Sequence, residues 1–128
     1  AAVEAATKNH PDKVIDKFVL GNPHDSVFPA IYGTAHPENA QALGVMESFS
    51  AATAIVAADA AAKTAMVELI ELRLCRGMCG KSYMLLTGSV SAVSAAIERA
   101  VNEAGDRGML LDSSIIPNPD KKLWDSIL

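Results

Sequence analysis

From residue 67 to residue 75 the chain alternates, with Ile70, Leu72 and Leu74 on one side of an extended backbone and Glu71, Arg73 and Cys75 on the other. A period of two marks a strand covered on one face. Around it the pattern changes character several times. Residues 42–48 are a short apolar run, read as a strand. Ser50 then precedes an alanine-rich stretch over 51–65, where its hydroxyl is expected to accept an orphan N–H and start a helix. Gly77 to Gly80 is expected to turn the chain into a second strand over 81–87. Ser89 caps a helix reaching about Glu103, residues 109–116 form the last strand, and Pro117 separates it from a terminal helix around Leu123 and Trp124. Ahead of all this, residues 1–8 read as the end of a helix. Residues 13–20 read as a strand closed by Gly21-Asn22-Pro23, and 24–31 as a short helix. The order from residue 42 onward, β-α-β-β-α-β-α, predicts an α+β domain of the ferredoxin-like split β-α-β kind: an antiparallel sheet with two helices on one face, plus the terminal helix.

The early elements are a copy of the late ones. Val14-Ile15-Asp16, Val19-Leu20, Asn22-Pro23, Phe28 and Ile31 match Leu110-Leu111-Asp112, Ile115-Ile116, Asn118-Pro119, Trp124 and Ile127 at a constant spacing of 96 residues. Upstream, the six residues from Ala1 match the six from Ala95 at a spacing of 94. A repeat of this period implies tandem domains of about a hundred residues each. Residues 1–32 are then expected to be the end of a first domain, 33–40, with Gly33 and Pro37, a linker, and 41–128 a complete second domain.

Composition narrows the functions. In a chain of 128 residues, 50% are hydrophobic but only 5% aromatic, so the apolar content is small and aliphatic. Small side chains permit close helix-on-sheet packing, and the positive mean hydropathy points to broad surfaces for self-association. A net charge of −4 offers no cationic face for nucleic acid. The longest apolar stretch, 51–67, is interrupted by Asp59 and Lys63 and is too short for a bilayer span. Ala1 does not begin a recognisable signal peptide, and two cysteines four residues apart are no disulfide framework, so a reducing cytoplasm is the expected setting. No nucleophile with its base, no phosphate-cradling glycine loop and no acid pair stands out; the expectation is a protein that is not an enzyme.

Four stretches carry a family resemblance: Ala42-Leu-Gly-Val-Met-Glu-Ser48; Ala57-Ala-Asp-Ala-Ala-Ala-Lys63 with Val67-Glu-Leu69; Thr87-Gly-Ser-Val-Ser-Ala-Val93; and Ile115-Ile-Pro-Asn-Pro119. In this order and spacing they resemble the bacterial microcompartment (BMC) shell domain. With the repeat, the chain resembles a tandem-domain shell protein. Its Cys79-Gly80-Lys81 turn and Asn-Pro repeat ends are most similar to the propanediol-utilisation type, whose trimer carries an iron–sulfur cluster in its pore. The resemblance implies a homo-trimer that mimics a hexagonal tile, packs edge to edge with other shell proteins, and helps enclose enzymes in the shell of a cytoplasmic compartment. One departure is visible: many members end this region in Pro-Arg-Pro-His, and Pro117-Asn-Pro-Asp120 lacks both the Arg and the His.

The resemblance also assigns candidate residues. Gly77, Met78, Cys79, Gly80 and Lys81 fall where the family lines its central pore, and the two glycines let the backbone approach an axis closely. An ordinary hairpin turn is the alternative. Threefold repetition of Cys79 would bring three thiolates together to hold a 4Fe–4S cluster at the trimer axis, although in the family the cluster cysteine lies in the first domain. A lone cysteine is otherwise an inert small hydrophobe, the reading adopted for Cys75. Lys63 occupies the place of the family's tile-edge lysine, and Asp59, four residues earlier, invites an ion pair along the helix. His10, His24 and His36 are scattered and lack the spacing of a zinc site.

Overall fold

A computed structural model describes residues 1–128. Its elements are α1 (Ala2–Asn9), α2 (Val27–Tyr32), β1 (Ala42–Ser48), α3 (Ala51–Thr64), β2 (Val67–Leu74), β3 (Ser82–Gly88), α4 (Val90–Asp106), β4 (Leu110–Ile116) and α5 (Lys121–Ile127). The four strands form one antiparallel sheet in the order β2-β3-β1-β4, which is the predicted split β-α-β topology. Helices α3 and α4 pack against each other and against one face of the sheet.

Local chemistry explains where the helices start. Ser50 and Ser89 hold extended backbone and accept hydrogen bonds from the N–H groups of Thr53 and Ala92, each satisfying a donor that the first turn leaves open. Asp120 does the same for α5 through the Lys122 N–H. Alanine dominates where the two long helices meet the sheet. Ala54, Ala57, Ala58 and Ala61 of α3 and Ala96, Ala100 and Ala104 of α4 are fully buried, with Met46, Leu72, Met84, Leu86 and Val93 filling the space beneath. At Gly44, in the central strand, a Cβ would lie only 2.7 Å from Leu86 Cδ1, 2.8 Å from Ile97 Cγ1 and 2.9 Å from Val93 Cγ1. The missing side chain is what lets α4 lie close on β1.

Two expectations are corrected. Residues 13–20 are not a strand. A strand needs a neighbour for its backbone groups, and both edges of β1, the strand on which the matching segment β4 pairs, are taken by β3 and β4. The segment leaves a turn at Lys13, bends at Ile15 and runs on without a ladder. Ile70 does not share a side with Leu72, because the β2–β3 register shifts between Leu69 and Glu71. This bulge puts one extra residue into β2 and turns Ile70 away, so that Leu69 and Leu72 enter the main core while Ile70 does not. Ile70 instead borders a cleft on the opposite face with Arg73, Tyr83 and Leu85.

Although it belongs to the early copy, α2 is part of this domain. Val27 and Ala30 are each only 1% exposed and join the core, with α2 packed on β2. Gly33 ends the helix in the left-handed conformation, where the lack of a Cβ removes the steric penalty. By contrast, α1 and α5 have no fully buried residue; Val3 and Thr7 of α1 border a shallow cleft with Ala52 of α3, and Ile127 of α5 borders the cleft on the far face of the sheet with Tyr83 and Leu85.

Candidate functional site

The β2–β3 hairpin ends in a turn with an unusual backbone. Cys75, Gly77, Cys79 and Gly80 all have left-handed dihedrals, at φ of 57°, 73°, 53° and 91°. Two glycines adopt this conformation without strain, but two cysteines do so at about 1–2 kcal/mol each. Closure comes from the Cys75 N–H, which donates to the Lys81 carbonyl and to Ser82 Oγ, both at 3.1 Å, and from the Lys81 N–H, which donates to the Met78 carbonyl at 3.1 Å. The Cys75 thiol donates to the Gly80 carbonyl at 3.3 Å. Ser82, fully buried at the base of β3, anchors the whole turn.

The predicted residues Gly77, Met78, Cys79, Gly80 and Lys81 therefore lie together on one projecting turn, with Gly77 and Cys79 exposed. Both cysteines are free and exposed. The thiol of Cys75 is engaged inside the turn, whereas that of Cys79 has no hydrogen-bond partner in the chain. Within one chain no group of three or more His, Cys, Asp or Glu side chains could hold a metal. The left-handed Cys75 had no signature in the sequence, since only glycine announces that conformation.

Lys63 is engaged within the chain. Its Nζ donates to Asp59 Oδ2 at 2.7 Å, the expected ion pair along α3, and to the Asn22 carbonyl at 2.6 Å. Asp59 is only 5% exposed and its other oxygen accepts from the His24 N–H at 2.7 Å. The two side chains together hold the 22–24 turn against α3. His24 Nδ1 is 2.8 Å from Ser26 Oγ, a local contact at the start of α2.

A second polar node was not foreseen. The Asp16 carboxylate accepts from both Ser50 Oγ and Thr53 Oγ1, the latter at 2.6 Å, and from Arg107 Nη1 at 3.4 Å. Burial pushes its pKa up, but the hydrogen bonds from Ser50, Thr53 and the Lys17 N–H, with the charge of Arg107, outweigh that and hold it below the ordinary value. The carboxylate also lies at the positive end of α3. The signal was present in the matched Asp16 and Asp112 of the repeat, but nothing local showed what Asp16 would meet.

On the sheet face away from α3 and α4, Arg73 bonds Glu71 Oε1 through Nε and Nη2 at 2.9 and 2.7 Å, and Tyr83 donates to Glu71 Oε2 at 2.9 Å. The Arg73 guanidinium lies 5.8 Å from the Tyr83 ring centroid. Burial and the bond to Glu71 raise the Tyr83 pKa. No helix in the chain is long and apolar enough to cross a membrane.

Comparison with known proteins gives a consistent picture. Residues 42–119 match the BMC domain family. The chain is 39% identical over 123 residues to the bacterial microcompartment shell protein PduT of Citrobacter freundii, covering 96% of this chain and 67% of that protein. A crystal structure of a microcompartments protein from Desulfitobacterium hafniense superposes with a TM-score of 0.84 at 41% identity, covering 97% of this chain and 69% of the other.

Proposed function

Because the chain belongs to the BMC-domain family of bacterial microcompartment shell proteins, we propose that it is a tile subunit: a homo-trimer of tandem domains with a central opening, laid edge to edge with other shell proteins around enclosed enzymes. The observation that carries the opening is the projecting turn of residues 75–80, whose four left-handed residues hold Gly77, Met78, Cys79, Gly80 and Lys81 out from the core. A turn with Gly77 and Cys79 exposed suits a position on a symmetry axis. Lys63 is proposed at the tile edge, where its half-exposed ammonium keeps one face toward solvent while gripping Asn22. The buried alanines of α3 and α4 let both helices lie close on the sheet.

A second reading, electron transfer, rests on Cys79. Its thiol is exposed and unpartnered, whereas that of Cys75 is tied to Gly80. One chain lacks the ligands for a cluster, so Cys79 fits a 4Fe–4S group only if symmetry supplies the same thiolate from three copies. Such a cluster, when bound, would supply one-electron chemistry at the axis. The turn's role would be to present the thiolates and, through Lys81, to add positive charge nearby.

Both readings are tested on the full-length protein purified without oxygen. Negative-stain microscopy of tiles and sheets addresses the first; monomers that never assemble would refute it. Visible absorbance with iron and sulfide content addresses the second. Colour and iron that disappear in Cys79→Ser support the cluster, and a colourless, iron-free trimer leaves an opening for metabolites.

A further inference from the structure

We propose that the cleft on the sheet face away from α3 and α4 binds a short-chain aliphatic carboxylate, its anion on Arg73 and its hydrocarbon tail on Ile70, Leu85 and Ile127. The cleft has a volume of about 530 Å³ between β2, β3 and the end of α5, within the range of small-molecule sites. Every residue it needs lies in one chain, so the site goes beyond the tile reading and is independent of it.

The bulge in β2 builds the site. Strict alternation would send the neighbours Ile70 and Glu71 to opposite faces, whereas the register shift between Leu69 and Glu71 brings both to this one. Ile70 is then only 5% exposed yet outside the main core, an apolar floor beside a polar wall. Glu71 organises that wall. One of its oxygens accepts from Nε and Nη2 of Arg73, and the other accepts from the Tyr83 hydroxyl. The guanidinium is thereby pinned by one edge, with the Tyr83 ring centroid 5.8 Å away. Its Nη1 makes no hydrogen bond in the chain, and the edge between Nη1 and Nη2 is open. Two parallel N–H donors on that edge match the two oxygens of a carboxylate.

Charge and shape select the ligand. Glu71 is the one acidic side chain on the walls, and both of its oxygens are engaged. Glu47, the next acid on this face, stands in register with Tyr83, and Tyr83 with Arg73. That places Glu47 two strand spacings, about 10 Å, from the strand that carries the guanidinium. An adjoining cleft shares Glu71 and Arg73 and adds Arg76, so cations outnumber the acid around the open edge. Phosphate satisfies the guanidinium but leaves Ile70, Leu85 and Ile127 uncovered. A neutral alcohol covers them and leaves the fork unused. A carboxylate with an aliphatic tail engages both ends.

The test is a titration of the full-length protein, labelled at its isoleucine methyl groups, with butyrate at constant ionic strength. The Ile70 and Ile127 signals should move saturably, half-complete at about 1–10 mM, while that of Ile97, buried on the helix side of the sheet, stays in place. Butanol and inorganic phosphate, titrated alike, should bind about tenfold more weakly or worse. Arg73→Gln should weaken butyrate by about tenfold or more, and Arg73→Lys, which keeps the charge without the fork, should not restore it. The Arg73 side chain is 44% exposed, so the melting temperature of both variants should match wild type; if it does not, the three-ligand comparison on wild type decides. A wild type with no saturable shift up to about 100 mM butyrate overturns the site. So does a response to butanol or to phosphate equal to that for butyrate, or butyrate binding that survives Arg73→Gln. Normal assembly of the protein in any of these cases leaves the tile reading standing.

Discussion

Replacing Asp16 by alanine should release the segment before α2 while leaving the domain folded. The carboxylate is the acceptor for Ser50 and Thr53, which are 6% and 0% exposed, so its loss strands two hydroxyls where water has little access. Hydrogen bonds to a charged acceptor contribute about 1.5–3 kcal/mol each. Ser50 still caps α3 through the Thr53 N–H, and Arg107 retains Glu103 nearby, so the net cost is about 2–4 kcal/mol. Because α1 has no fully buried residue and residues 13–20 belong to no ladder, that loss is expected to appear as local opening of residues 10–20 and not as global unfolding. An opening free energy lowered by this amount speeds cleavage by roughly 30- to 1000-fold when reclosing is fast. Trypsin reports it at Lys13 and Lys17, both exposed, with mass spectrometry identifying the fragments. Acid should mimic the mutation. The folded pKa of Asp16 is depressed, so its contribution is complete above the unfolded value of about 3.9 and is lost as pH falls through the folded value. In wild type, protection of the 13–20 amides relative to their intrinsic exchange rate falls on that descent, whereas Asp16→Asn removes this dependence. Cleavage at Lys13 and Lys17 within threefold of wild type in Asp16→Ala would refute the reasoning.

Three further changes probe other contacts. Gly44→Ala is expected to lose about 1–3 kcal/mol by forcing Leu86, Val93 and Ile97 apart, read as a lower urea midpoint at constant slope; an unchanged midpoint would show that α4 can lift off β1 freely. Lys63→Met should lose about 1–3 kcal/mol because the nearly buried Asp59 keeps its charge without its cation, and Asp59→Asn added to it should recover part of the loss in a thermal melt. Cys79→Gly should gain up to about 1 kcal/mol by relieving a left-handed residue, whereas Cys79→Ser should leave the melt where it is; equal effects of the two would mean the turn relaxes.

The sheet and its two long helices were legible because their signals are local: Ser50 and Ser89 before alanine-rich runs, glycines in the turn, and a period of two in β2. What escaped depends on partners distant in the chain. Residues 13–20 have a strand's composition, but a strand exists only where another offers a free edge. Ile70 obeys the alternation by residue count and breaks it through a bulge that only the facing strand defines. The candidate turn was identified to within two residues, yet the conformation of Cys75 was invisible, since nothing in a cysteine marks a positive φ. Lys63 was found as an ion-pair partner of Asp59. Its bond to Asn22, 41 residues earlier in the chain, joins two segments that no short motif connects.

The alanine layer between α3 and α4 makes the domain's mutational tolerance one-sided. A leucine core can trade shapes, exchanging bulk at one position for bulk at another. Here Ala54, Ala57, Ala58, Ala61, Ala96 and Ala100 are at 0% exposure, and glycine is the only smaller residue available. Nearly every replacement adds volume to a seam with no larger neighbour to trim in compensation. Sequence drift in such a protein is driven outward to its surface and turns, while the layer between the two helices and the sheet stays almost fixed.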